Sequence, residues 1–437
     1  MIRTSFFSMS MLLALTGCFQ QASAPVAAPQ PAEPTKTTLK IVYYGKDQFN
    51  REYGNTLKRL LPNIEFVVIP SISKVVNNIG IPMELTAILE QKADLIVSNS
   101  LLNELSRNGK AVELSPLIKQ DSIDLNAYTD VALEQLRMLG DGKLIALSPV
   151  FSATATFYNK ELFDRFGVAY PTNNMSWQSM MELAKHFARS EGGKPYYGIV
   201  TSQLPFGLVQ RYINGTGAAY LSEDRKKALY NSDSYRLAME AAIEAYRTGA
   251  FYLPPEKQTD NKFISGEAAI ALFSPSLIDG MKQASAKGQP TVKWDIVTEP
   301  VDPKKPNISS FGANIQEAFA ISAESSHKSE AWSVIKAIMS KEMADELAKT
   351  KSSVLSTRKD SVLTIDGRRM DAFYAHKPDS RQSGGETWPV QLAQQVSVIS
   401  SEEITNMIYD RKSVADGISA LQSRTQQAID EEFAAKK

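Results

Sequence analysis

The chain has 437 residues, 43% of them hydrophobic, which is enough for a sizeable core spread over two or three domains. Its 48 basic and 48 acidic side chains cancel, so net charge attracts neither nucleic acid nor an anionic membrane surface. No internal stretch is apolar over the roughly 20 residues that a membrane-spanning helix needs.

At the N-terminus, Arg3 precedes a short apolar run through Phe6, Phe7, Met9, Met11, Leu12, Leu13 and Leu15, which ends in Leu15-Thr16-Gly17-Cys18. Charge, short apolar core and small residues at a cut are the layout of a signal peptide. Leu15-Thr16-Gly17-Cys18 resembles a bacterial lipobox, and the resemblance implies cleavage after residue 17 and diacylation of Cys18. Cys18 is the only cysteine, so no disulfide can form within one chain. Once it is acylated, no thiol is left for metal binding or catalysis. Residues 19–38 are rich in Ala, Pro and Gln and carry too little apolar surface to order themselves, so they read as an extended tether.

The body alternates strands and helices. Leu39-Lys40-Ile41-Val42-Tyr43-Tyr44 reads as a strand, followed by a helical stretch ending near Leu61. Residues 64–69 read as a second strand, 82–91 as a helix and 94–97 as a third strand. Such units predict a mainly parallel sheet. The pattern returns with strands at 155–158, 197–200 and 268–273. Between the first two, Ser176 caps a helix whose apolar face is Trp177, Met180, Met181, Ala184 and Phe187. Two α/β lobes follow from this pattern, with ligands expected where strand ends face a crevice.

The segment Gly142-Lys143-Leu144-Ile145-Ala146-Leu147, then Phe157-Tyr158-Asn159-Lys160-Glu161-Leu162-Phe163, resembles family 1 extracellular solute-binding proteins, which include maltose-binding protein. Met175-Ser176-Trp177, Phe263-Ile264-Ser265-Gly266-Glu267-Ala268-Ala269-Ile270, Ala320-Ile321-Ser322 with Glu330-Ala331-Trp332, and Ser413 through Ile429 extend the resemblance in order along nearly the whole mature chain. It implies a two-lobe, periplasmic-binding-protein-like α/β fold with hinge crossings at about 150–153, 311–315 and 354–358. The implied organisation is a signal peptide over 1–17 and the lipidated cysteine and tether over 18–38. Lobe one follows over 39–150 plus 315–355, and lobe two over 153–312 plus 358–437. The implied function is capture of a small polar solute, expected to be a carbohydrate, by hinge closure. Delivery is to the permease subunits of an ABC importer, with the protein lipid-anchored on the extracytoplasmic face of the cell membrane and acting as a monomer without a cofactor.

Sugar sites pair aromatic walls with a few placed polar groups. Trp388 resembles the family's stacking aromatic before the C-terminal helices; the alternative is an interface or core residue. Phe151 and Ser152 lie in the first crossing; the position of Ser152 carries a sugar-binding carboxylate in maltose-binding protein, so a hydroxyl here weakens that contact. Ser276 stands where that protein has a stacking Trp, which argues against maltose itself. Phe206 is either a second cleft ring or a core residue. Lys46 and Asp47 follow the first strand and are either ligand contacts or plain surface charges. Ser98, Asn99 and Asn314 lie at strand ends expected to face the cleft. Trp177 and Trp332 sit on helical apolar stripes and read as core, and Trp294 as structural. Rival readings are a cleft enzyme or a ligand-presenting sensor lipoprotein. No nucleophile elbow, zinc-protease motif or Walker loop is present, no catalytic or metal-binding residue is assigned, and His186, His327 and His376 are isolated in sequence.

Overall fold

The structure, a computed structural model, describes residues 36–434 apart from 77–78, 256–260, 316, 352–353, 366 and 379–389. The chain divides into Met1–Lys36 and Thr37–Lys437. The expected signal peptide, Cys18, most of the tether and Trp388 lie outside the described residues.

In chain order the strands are β1 (Thr37–Tyr43), β2 (Ile64–Pro70), a hairpin of β3 (Ile72–Val76) and β4 (Ile79–Pro82), β5 (Leu95–Val97), β6 (Ala146–Leu147), β7 (Val150–Phe151) and β8 (Ala155–Asn159). They continue as β9 (Arg189–Glu191), β10 (Lys194–Thr201), β11 (Ala268–Phe273), β12 (Trp294–Thr298), β13 (Phe319–Ile321), β14 (Leu355–Ser356), β15 (Thr364–Ile365) and β16 (Arg368–Arg369). Two five-stranded sheets form, ordered β2-β1-β5-β13-β6 and β12-β8-β11-β10-β9, so the fold is α/β with two sheet-bearing lobes.

Both sheets are mixed, which corrects the expectation of a mainly parallel sheet. β1 is parallel to β2 and β5, but β13 runs against β5 and β6. In the second sheet only β10 and β11 are parallel, while β8 runs against both β11 and β12. The cause is the chain path. β8 and β13 enter their sheets from the junction between lobes and run away from it. Their antiparallel neighbours β6, β11 and β12 run towards it.

Local chemistry sets the element ends. Asn159 Oδ1 accepts the N–H groups of Glu161 and Leu162 and starts helix Lys160–Phe166, which stops at Gly167 in the left-handed region (φ 64°). Ser176 Oγ accepts the Ser179 N–H at 2.9 Å and starts helix Trp177–Lys185. The helix expected over 82–91 is shorter, Leu85–Glu90, because β4 claims Pro82.

One core joins lobe one to β7, β14 and one face of the second sheet, including Phe157, Phe263 and Phe373. The other core fills the opposite face, under helices Trp177–Lys185, Pro205–Gly215, Asp233–Thr248 and the C-terminal pair Val390–Ile408 and Val414–Ala434. Trp177 and Trp332 are 1% and 5% exposed, as their apolar stripes predicted. Each indole N–H is satisfied, Trp177 by Ser310 Oγ at 2.9 Å and Trp332 by Asp121 Oδ2 at 3.0 Å.

Candidate functional site

The chain passes between its two sheets after β6, after β12 and after β13 with its following helices, and these passages lie side by side. β7 pairs with β14 through Phe151 opposite Leu355 and Val150 opposite Ser356. Ser152 and Asn314 exchange both backbone hydrogen bonds, at 2.9 and 2.8 Å. Thr357 adds its N–H to Pro149 O and its hydroxyl to Ser148 O.

The carboxyl ends of the parallel strands converge on the second passage. Tyr43, the last residue of β1, places its hydroxyl 3.0 Å from Glu317 Oε1, and Ser98 after β5 donates its N–H to Ala318 O at 3.1 Å. The exposed residues Lys46 and Asp47 and the half-buried Asn99 sit on the loops that leave those strand ends, and exposed Asn314 lies in the passage itself. The structure therefore gathers Lys46, Asp47, Ser98, Asn99, Ser152 and Asn314 around one junction. The side chains of Lys46, Asp47, Asn99 and Asn314 meet no partner among the described residues. Ser98 Oγ is occupied, accepting the Leu101 N–H at 3.3 Å.

The two predicted rings within the described residues fall elsewhere. Phe151 is 1% exposed and packs edge-on against Tyr374, so it fills the core between passages and offers no face to a solute in this conformation. Phe206 lines a groove of about 240 Å³ between helices Pro205–Gly215 and Val390–Ile408, with Gln210, Tyr220 and Val396. It makes no contact with the strand-end group among the described residues. One ring that sequence reading treated only as strand is Tyr44, 40% exposed beside Lys46. Burial, then the charges of Glu317 and Glu52, raise its pKa.

Beneath the strand ends lies a polar cluster that no sequence motif announced. Lys351 Nζ is 2.5 Å from Glu317 Oε1 and 2.6 Å from Glu52 Oε2. Tyr53 donates to Glu317 Oε2, and Tyr43 can donate to Glu52 Oε2 at 2.6 Å or to Glu317. Burial works to raise the Glu52 carboxyl, but hydrogen bonds from Lys351 and Tyr43 and the Lys351 charge outweigh it and hold it below the usual carboxylate range. Tyr43 and Tyr53 are both pushed up, by burial first and by Glu317 second.

A second buried cluster braces the passage from lobe two. Glu299 accepts the Ser309 hydroxyl and the Phe311 N–H, the latter at 3.0 Å. His376 is 6% exposed, with Nε2 2.8 Å from Asn174 Oδ1 and Nδ1 3.5 Å from Glu299 Oε1. Among the described residues no group of three or more His, Cys, Asp or Glu is placed to hold a metal ion.

A family model described as bacterial extracellular solute-binding protein matches residues 37–345. The chain belongs to this family. Its curated relatives include proteins named as putative binding proteins in Brucella abortus (strain 2308) and Brucella suis biovar 1 (strain 1330), each 21% identical over 253 residues, 55% of this chain. The chain spans 58% of the length of these relatives.

Solved structures share the fold over almost the whole chain. A sugar transporter protein of Rhizobium etli in an open conformation is 20% identical, with TM-score 0.67 over 89% of this chain and 99% of that one. The sugar-binding protein MalE of Xanthomonas citri is 17% identical, with TM-score 0.66 over 92% and 99%. An ABC transporter solute-binding protein of Agrobacterium radiobacter K84, in complex with ribitol, is 18% identical, with TM-score 0.59 over 92% and 100%.

Proposed function

We propose that this solute-binding protein captures a carbohydrate between its lobes by hinge closure and hands it to the permease of an ABC importer. The observation that carries the reading is the set of unpartnered polar side chains, Lys46, Asp47, Asn99 and Asn314, around the junction where β1 and β5 end. Polyols present many hydroxyls, each able to donate and accept, and such a carpet of charge and amide matches them. Structural neighbours named for sugars or holding ribitol support the same class. In this reading Ser98 and Ser152 add polar contacts, Tyr44 and Trp388 add ring faces, and Phe206 lies at the margin. Lobe one comprises residues 39–150 plus 315–355 and lobe two 153–312 plus 358–437. Bound solute stabilises the closed form only by the contacts it gains there, which is how ligand shifts such an equilibrium.

The test starts from small molecules released by the purified protein and identified by mass spectrometry. Adding the identified solute back is expected to shrink the radius of gyration in small-angle scattering. Asp47→Ala with Asn99→Ala removes two polar contacts, one of them charged, and is expected to weaken binding by at least about tenfold in titration calorimetry. Unchanged affinity in that variant would remove the strand-end site.

The same reading places the protein on the extracytoplasmic face of the membrane through diacylated Cys18. At about 0.8 kcal/mol per buried methylene, two long acyl chains suffice for stable anchoring. Cys18→Ala is expected to move the protein from the detergent phase to the aqueous phase in phase-separation assays. Retention of the variant in the detergent phase would refute the anchor.

A further inference from the structure

We propose that lobe two carries, beside the second passage and apart from the strand-end group, a separate site for a multivalent oxyanion such as a phosphate or sulfate group. The chain as a whole is charge-balanced, with 48 residues of each sign. A recess of about 660 Å³ departs from that balance: Arg211, Arg225, Lys304 and Lys305 line it against one carboxylate, Asp302. It lies between the C-terminal half of helix Pro205–Gly215, the loop running from Gly217 to Arg225, and residues 302–310. Asp302 is engaged in its own turn, accepting the Lys304 N–H at 2.9 Å on Oδ1 and the Lys305 N–H at 2.8 Å on its carbonyl.

Arg211 makes the strongest case. Its Nη1 donates to Ser310 O at 2.9 Å, and its guanidinium lies over the Phe311 ring, 4.6 Å from the centroid. Burial draws its pKa below the usual guanidinium value, against the opposing influence of Glu299. Yet no carboxylate lies within ion-pair distance of it among the described residues. Glu299, the acid it feels, is committed to the Ser309 hydroxyl and the Phe311 N–H. A desolvated charge normally has a counter-ion, and a guanidinium leaves a planar fork of donors suited to an oxyanion. Lys304 and Lys305 likewise make no ion pair among the described residues.

The wall opposite supports the same assignment. Arg225 sits at φ 57°, in the left-handed region, within a turn closed by Arg225 N–H to Ser222 O and Ser222 N–H to Lys227 O, both at 2.9 Å. A bulky residue held there is strained, and strain of this kind collects where a side chain must be aimed. Gly217, Ala218 and Ala219 add only small groups to the wall that leads to Tyr220, so the volume stays open to a group larger than a bare ion.

The experiment is titration calorimetry of the full chain at fixed ionic strength with inorganic phosphate, pyrophosphate and glucose 6-phosphate. At least one is expected to bind saturably and more weakly as salt rises. Lys304→Ala with Lys305→Ala, both on a surface loop, is expected to weaken that binding by about tenfold or more. Arg211→Lys keeps the charge, loses the fork and is expected to weaken it as well. Asp47→Ala, at the strand-end site, is expected to leave it unchanged. Binding by the sugar phosphate alone identifies an esterified source; binding by the inorganic ions identifies a free one. Absence of saturable binding by all three probes up to the order of 10 mM overturns the site. So does equal affinity in the double lysine variant, or loss of binding on Asp47→Ala.

Discussion

Lys351→Met is expected to cost the folded chain about 3–5 kcal/mol at pH 7, because it removes the cation from a buried pair of carboxylates and leaves their charges uncompensated. Lys351 is only 13% exposed, and Glu52 and Glu317 are 10% and 6% exposed at the side chain, so solvent screening relieves little of the loss. The sign of the pH dependence follows from Glu52. Its folded pKa lies below the ordinary value, so its contribution to wild-type stability is full above the unfolded carboxylate pKa of about 4.3. That contribution is lost as pH falls through the lower folded pKa. Without Lys351 the two acids share a site with only neutral donors, from Tyr43, Tyr53 and Gln48, and one of them is expected to take a proton more readily. The stability gap between wild type and variant should then narrow as pH is lowered from 7 towards 4. Urea unfolding of both proteins across that range measures it. A gap that is small at pH 7, or constant with pH, would show that the cluster contributes no net electrostatic stabilisation.

That cluster also marks where sequence reading stopped. Glu52, Glu317 and Lys351 lie on three stretches of chain that meet only because β13 returns from lobe two and inserts between β5 and β6. The same return turned a sheet read as mainly parallel into a mixed one. Strand direction within a sheet depends on where the chain last crossed, and no local pattern encodes it. Local patterns succeeded where burial was complete or a cap was present. Ala268–Phe273 was read at its observed limits because every residue but the last is buried, and helix Trp177–Lys185 was placed by its Ser176 cap and its apolar repeat, although Phe187, read as part of its apolar face, lies beyond its last residue. The hairpin of β3 and β4 was missed although β-branched residues flank Asn77-Asn78, because Pro82 looked like a helix start.

The proposed site divides the same way. Lys46, Asp47, Ser98 and Asn99 could be named because polar residues just beyond parallel strands face the crevice in open α/β sheets. Phe151 could not be separated from a cleft ring, since its core role depends on Tyr374, far along the chain. The basic recess was illegible for a related reason: Arg211, Arg225 and Lys304 share no motif, and the chain's zero net charge hid them.

Trp177→Ala and Trp332→Ala are expected to lose similar stability, about 3–5 kcal/mol each, because each empties a buried indole site. Their effects on solute binding should differ. Trp332 donates to Asp121, and neither residue takes part in the backbone pairs that join the passages. Trp177 donates to Ser310 Oγ, which in turn donates to Pro300 O at 2.7 Å, and its ring packs on Phe311 with centroids 5.8 Å apart. Phe311 leads directly into Asn314, which pairs with Ser152. The fit is close enough that a Cβ on Gly215 would stand 1.9 Å from Trp177 Cδ1, so Gly215→Ala is expected to displace the indole and loosen the same segment. Removing Trp177 therefore frees one foot of the junction and should weaken solute affinity in the fraction that stays folded. Trp332→Ala should leave affinity near wild type. Denaturant unfolding gives the stability of each variant, and titration with the released solute gives the affinity of the folded fraction. Equal affinities in the two variants would mean that Trp177 supports lobe two without setting the geometry of the crossing. Lost affinity in Trp332→Ala alone would place the controlling contact in lobe one.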